Sequence, residues 1–176
     1  MTLAALMTAP SFALPGVDGK TYALDDYAGT PALAVVFTCN HCPYAQAWED
    51  RLLAIAGEYG GRGASFVAIN SNDAATVPQD SFDEMKARAE RVGYTMPYLH
   101  DEDQSVGRAY GAERTPEVFL FDAERRLVYH GAIDDSRDDL AVTRHYLRDA
   151  LDATLAGGEP PLAETPPVGC TIKWRR

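Results

Sequence analysis

Apolar positions along this chain fall into short unbroken runs separated by stripes at helical spacing. Leu33–Phe37 is continuous, rich in β-branched residues and too short for a helix, which predicts a strand buried on both faces. Residues 64–69 (ASFVAI) predict a second strand of this kind, and Met96 to Leu99 a short third. Ahead of them, Phe12 and Leu14 share one face and Tyr22 and Leu24 another, about a turn at Asp18-Gly19; this predicts a hairpin, followed by a helical turn at Asp25-Asp26. From Pro43 to about Tyr59 the residues Trp48, Leu52, Ile55 and Tyr59 form one stripe. Proline suits the first turn of that helix, and Gly60, Gly61 and Gly63 end it.

After a polar loop, Asp80 or Ser81 can cap a helix running to Val92, which Gly93 stops. Asp101 to Tyr110 predicts a small helix. Glu117 to Asp122 and Leu127 to Gly131 predict a second hairpin through AERR. Ser136 to Leu155 predicts the last long helix, with Leu140, Thr143, Leu147, Leu151 and Leu155 on one stripe and the Asp134–Arg137 segment (Asp134, Asp135, Ser136, Arg137) as its cap and first turn. Residues 157–176 form a Pro/Gly-rich tail that closes on CTIKW, patterned as a terminal strand. The order implies an α/β fold, a mixed central β-sheet flanked by helices with an N-terminal β-hairpin, in a single domain spanning 1–176.

Composition changes this picture in a few places. With 176 residues and 46% hydrophobic content, one full core is expected. A net charge of −10 and a pI near 4.7 argue against nucleic acid or an anionic membrane surface as partners. No run reaches the roughly 18 apolar residues of a membrane span. The opening MTLAALM lacks the basic residue of a signal peptide, so a cytoplasmic protein is expected. Three cysteines are too few for a disulfide scaffold and leave one thiol over.

Two of the three carry the candidate chemistry. Cys39 and Cys42 stand in C-x-x-C spacing where a buried strand hands over to a helix, at the positive end of the helix dipole. That position favours thiolate, the nucleophilic form, so the pair reads first as a redox motif; two zinc ligands or a merely buried pair are the alternatives. His41 between them can raise the thiolate fraction or carry a proton, or be a half-exposed loop residue. Cys39, His41 and Cys42 could also hold a soft metal, but no fourth ligand is visible. Cys170, among Gly169, Ile172 and Trp174, fits either a small buried apolar role or a resolving thiol. The glycines match neither G-x-G-x-x-G nor a P-loop, so no organic cofactor is implied.

Several blocks together resemble the redoxin branch of the thioredoxin superfamily: the AP-x-F-x-L opening at residues 9–14, CNHCPY at 39–44, TPEVFLFD at 115–122, DDSR at 134–137 and GC-x-IKW at 169–174. The nearest group is the peroxiredoxin-like one, close to alkyl hydroperoxide reductase/thiol-specific antioxidant proteins. The resemblance implies a thioredoxin-like fold, with a cis peptide bond at Thr115-Pro116 and that loop packed against the active cysteine. It implies that Pro116 walls the substrate groove and that the Thr115 backbone bonds a bound thiol or peptide. Arg114, just before, would supply positive charge to a thiolate or else be a solvated loop arginine.

The departures are informative. A thioredoxin's first active cysteine lies five residues past the strand's last aromatic, which here is Cys42; the second would fall at Ala45 and the buried acid at Val36. Both are empty of that chemistry, and Cys39 lies on the other side of Cys42. The peroxiredoxin pattern P-x-x-x-S/T-x-x-C fails in either frame, with Val35 and Cys39 in its slots counted from Cys42, and Ala32 and Val36 counted from Cys39. The expectation is therefore a thiol-disulfide oxidoreductase with Cys42 as nucleophile and Cys39 as resolving partner. It would act on a protein or small-molecule disulfide or a peroxide, and a cellular dithiol would reduce it. A cysteine peroxidase with an antioxidant role and a non-catalytic or metal-handling module are the rival readings.

Overall fold

The computed structural model describes residues 7–176; the opening residues 1–6, which bear on the leader expectation, lie outside that range. The first hairpin pairs β1 (Ala13–Pro15) with β2 (Thr21–Ala23) in antiparallel register, Leu14 opposite Tyr22, and a helical turn Leu24–Tyr27 follows. The chain then builds β3 (Ala32–Phe37), α1 (Pro43–Gly60), β4 (Ala64–Asn70), α2 (Phe82–Val92), β5 (Tyr98–His100) and α3 (Ser105–Tyr110). It closes with β6 (Arg114–Thr115), β7 (Glu117–Phe121), β8 (Leu127–Gly131), α4 (Tyr146–Leu155) and β9 (Cys170–Thr171).

Five strands make the central sheet in the order β5-β4-β3-β7-β8. β3 runs parallel to β4 and antiparallel to β7, so the sheet is mixed, with β3 at its centre. Every residue of β3 is buried, as its unbroken apolar run predicts. Its alternate residues serve two cores. Ala32, Ala34 and Val36 pack under helices α1, α2 and α4, against residues such as Trp48, Met85 and Leu147. Leu33, Val35 and Phe37 face the hairpin and α3, against Phe12, Leu14 and Tyr110. This is the thioredoxin-like arrangement with an N-terminal hairpin laid over one face.

The local signals place most helices. Trp48, Leu52, Ile55 and Tyr59 are all buried on α1. Of the two candidate caps for α2, Ser81 takes the role and accepts from the Glu84 N–H, while Gly93 ends the helix at φ +82°, where a side chain would be strained. Among the described residues no helix is long and apolar enough to cross a membrane.

One helix differs from its pattern. α4 starts at Tyr146, not at Ser136, and Leu140 is 93% exposed. Long-range contacts hold residues 134–144 as a loop instead. Asp134 accepts from Trp48 Nε1 at 2.7 Å and from the Arg51 guanidinium at 2.6 Å, and Arg51 also donates to the Ser136 and Arg137 carbonyls. Asp135 accepts from the Thr143 N–H at 2.9 Å and donates its own N–H to Arg144 O at 3.2 Å, which closes the loop. Asp134 and Asp135 therefore do not cap α4; they tie the loop to α1 and to itself. Of the leucine stripe, Leu147 and Leu151 reach the core.

The position of this helix start is measurable. Leu147→Ala is expected to cost about 2–5 kcal/mol in urea unfolding, as a cavity at a fully buried leucine does. Leu140→Ala should stay within about 0.5 kcal/mol, because its side chain meets solvent. Equal costs at both positions would restore the longer helix.

Candidate functional site

The topology brings three loops to one end of β3. β7 enters antiparallel where β3 leaves, with Phe37 opposite Glu117, so residues after Phe37 meet residues before Glu117. β4 leaves parallel beside them, with Phe37 opposite Ile69, and delivers the Asn70–Asp80 loop to the same edge. That edge is where open α/β sheets place their sites.

Cys42 is the N-cap of α1, with Pro43 at the first helical position. Neither Cys42 nor Cys39 has appreciable exposure (0% and 1%), and both are free thiols. The Thr115-Pro116 bond is cis, and Thr115 lies against both sulfurs: its hydroxyl is 3.3 Å from Cys39 Sγ, and its carbonyl oxygen is 3.5 Å from Cys42 Sγ. The buried Glu117 carboxylate braces this loop by accepting from the N–H groups of Glu113 and Arg114 and by pairing with His130 Nε2 at 2.7 Å.

The two thiols are driven apart in proton affinity. Cys39 donates to the Cys42 sulfur, and this outweighs burial to bring the Cys42 pKa down to about 4; Cys170 and the backbone N–H groups of Ala45 and Cys170 add to it. The same hydrogen bond, with burial and the nearby Asp80 carboxylate, pushes the Cys39 thiol well above its ordinary range. One proton sits on Cys39 and the charge on Cys42. Their separation satisfies the rule that two adjacent acids cannot both ionise.

Asp80 is the residue that sequence reasoning missed as part of the site. It stands among the helix-cap candidates in the pattern, yet it is fully buried at the end of the polar loop. Its Oδ1 accepts from the Asn40 N–H at 2.6 Å and Asn70 Nδ2 at 3.1 Å; its Oδ2 accepts from Asn72 Nδ2 at 3.0 Å and pairs with His41 Nδ1. Asn40 is fixed in turn by the Tyr98 hydroxyl at 2.7 Å. The signal for this network was the density of Asn and Asp in a segment with nothing to solvate it. His41 thus stands beside the cysteines with its ring oriented by a carboxylate.

Cys39, His41 and Asp80 offer ligand atoms within 4.8 Å of one another, an S/N/O set suited to zinc. Each Asp80 oxygen already has two partners, so a metal would have to displace hydrogen bonds that hold the cysteine loop. Arg114 is exposed, and its guanidinium donates to Gly169 O at 2.9 Å, tying the tail to the cis-proline loop. The largest influences on Cys42 are neighbouring thiols, burial and backbone N–H groups. Cys170 comes to the site through β9, which pairs antiparallel with β6 so that Cys170 lies opposite Thr115.

A family model described as Redoxin matches residues 4–147. A hypothetical protein from Sinorhizobium meliloti 1021 has the same fold at a TM-score of 0.93 and 41% identity, covering 99% of this chain and 97% of its own. An uncharacterized conserved protein from Geobacillus kaustophilus matches at a TM-score of 0.91 and 44% identity, covering 96% of this chain and 91% of its own. A curated relative, the thiol-disulfide oxidoreductase ResA of Geobacillus thermodenitrificans, is 29% identical over 117 residues. That match takes in 65% of this chain and spans 62% of the relative's length.

The split proton affinities predict a pH titration. The thiolate ultraviolet absorbance of the reduced protein should rise with an apparent midpoint near pH 4, because Cys42 is a thiol below that value and charged above it. Cys42→Ser should lose this transition. Cys39→Ala removes the strongest donor and should move the midpoint upward, towards the ordinary thiol range of about 8.5. A wild-type midpoint already in that ordinary range would refute the charge assignment.

Proposed function

The chain belongs to the redoxin family, and we propose that it works as a thiol-disulfide oxidoreductase on the Cys39–Cys42 pair. The observation that carries this reading is the placement of two buried free thiols packed together, Cys42 at the N-cap of α1 and Cys39 in the loop before it, with their proton affinities pushed apart. The similarity to a protein named thiol-disulfide oxidoreductase supports it. The Cys42 thiolate attacks a sulfur of an oxidised partner. Cys39 then attacks Cys42 Sγ, so the partner leaves as two thiols and a Cys39–Cys42 disulfide remains. Cys39 must give up its proton to do this, and the His41 ring, steered by Asp80, is the acceptor beside it. A cellular dithiol reverses the sequence. Thr115 packs against both sulfurs, with its hydroxyl within hydrogen-bond reach of Cys39 Sγ.

A peroxide is the second oxidant this site could take, with Cys42 passing through a sulfenic acid before Cys39 closes the disulfide. The missing hydroxyl three residues before Cys42 favours the disulfide reaction, since that slot is Cys39 itself.

Disulfide reduction by the fully reduced protein should form one Cys39–Cys42 bond per substrate disulfide consumed, as read by peptide mapping. Cys42→Ser should lower the rate by at least about 100-fold with the fold retained. His41→Gln should slow closure of the Cys39–Cys42 bond most at neutral pH and less in alkali, where solvent takes the Cys39 proton. Full turnover in Cys42→Ser would end the assignment. A faster reaction with peroxide than with disulfides would reverse the order of the two readings.

A further inference from the structure

The third cysteine lies over the pair. Residues 165–173 cross the site as a strap pinned at both ends. Upstream, Thr165 donates its N–H to His130 O at 3.0 Å, and its hydroxyl meets Tyr129 Oη at 2.6 Å and the Ala132 N–H at 3.0 Å. Downstream, the buried Ile172 donates its N–H to Glu113 O at 2.9 Å, and Lys173 pairs with Asn72 Oδ1 at 2.8 Å and the Asp73 N–H at 2.8 Å. Between these anchors the strap presses onto the cis-proline loop. A Cβ at Gly169 would sit 1.9 Å from Thr115 O, so only glycine allows this approach. Cys170, opposite Thr115, packs against the cluster formed by Cys39, Cys42 and Ala45.

Cys39 and Cys42 are buried, whereas Cys170 keeps part of its surface in solvent. A disulfide or dithiol of any bulk meets Cys170 first. We propose that Cys170 is a third redox thiol, through which a Cys42–Cys170 disulfide carries exchange between outside partners and the buried Cys39–Cys42 pair. The proposal rests on the redox reading of that pair and deepens it: the sulfur that Cys42 attacks is that of Cys170.

The steps balance. Cys170–SH attacks an external disulfide RS–SR′, forming Cys170–S–S–R, and its proton leaves on R′SH. The Cys42 thiolate attacks Cys170 Sγ and expels RS⁻, giving Cys42–S–S–Cys170. Cys39–SH attacks Cys42 Sγ, closing Cys39–S–S–Cys42 and returning its proton to Cys170. Two electrons pass from the Cys39–Cys42 dithiol to RS–SR′. Re-reduction runs these steps backwards with a dithiol attacking at Cys170, and Cys42 is then the leaving thiolate. Its low proton affinity suits that role, since a thiol of lower pKa leaves faster.

The test uses the full chain and hydroxyethyl disulfide as the external probe. In Cys39→Ser the third step is removed, so peptide mapping after oxidation should find Cys42 joined to Cys170. In the wild type the end product should be Cys39–Cys42. Cys170→Ser should oxidise its Cys39–Cys42 pair at least about tenfold more slowly with the same probe. Cys39→Ser ending with the probe attached to Cys42 and Cys170 still a free thiol would overturn the relay while leaving the pair's redox role intact. A Cys170→Ser protein as fast as the wild type would do the same. Failure of the wild type to form any disulfide would refute the underlying redox reading and the relay with it.

Discussion

A charged sulfur without solvent is the demand that the rest of this site answers. Cys42 has no exposed surface, yet its proton is held off well below the ordinary thiol range. Burying an unpaired charge costs several kcal/mol, so the fold must return as hydrogen bonds what water would have given. It does so from three directions. α1 sets its positive end and the Ala45 N–H toward the sulfur, Cys39 acts from the preceding loop, and the tail acts through Cys170. Each donor belongs to a different stretch of chain, and they converge because β3 and β7 are antiparallel neighbours at the centre of the sheet.

The same constraint explains where the acid lies. The thioredoxin pattern would put a buried carboxylate at Val36, but here that position faces the helical core beside residues such as Trp48 and Leu147. Asp80 arrives instead from a loop, where Asn40, Asn70, Asn72 and His41 saturate it. Its charge falls on the Cys39 side and raises that thiol's hold on its proton. The carboxylate thereby reinforces the division of labour, with the proton kept by Cys39 and the charge by Cys42.

What was legible in the sequence is what local spacing controls. The buried run of β3, the stripe of α1, the glycine stop of α2 and the C-x-x-C pair are all readable because each depends on residues within a turn or a strand of one another. The start of α4 was not, because the Ser136–Leu155 stripe is periodic while Arg51 and Trp48, far away in sequence, hold Asp134 out of the helix. Asp80 was hidden for the same reason, and for Cys170 the sequence left a buried apolar role and a resolving thiol both open. Asp80 has the local grammar of a helix cap, and its buried role exists only once the loop after β4 meets the loop after β3. CTIKW carries a strand pattern, but the contact of Cys170 with Cys42 depends on its pairing with β6, and nothing local to the tail names that partner.

The position of the second thiol follows from these contacts. At Ala45 a thiol would lie one turn into α1, and its group would share the helix terminus with Cys42. Ala45 instead lends its N–H to the Cys42 sulfur and its methyl to the apolar packing around both cysteines. Moving the partner to Cys39 places it in the loop, within reach of the Thr115 hydroxyl and of the His41–Asp80 pair. The helix terminus is then left to stabilise one charge alone. Stabilising the Cys42 thiolate stabilises the dithiol form of the pair, while the protonated Cys39 exacts no cost near neutral pH. The Cys42 effect tilts the pair towards its reduced state, so a Cys39–Cys42 disulfide would be more readily reduced than that of two unperturbed thiols.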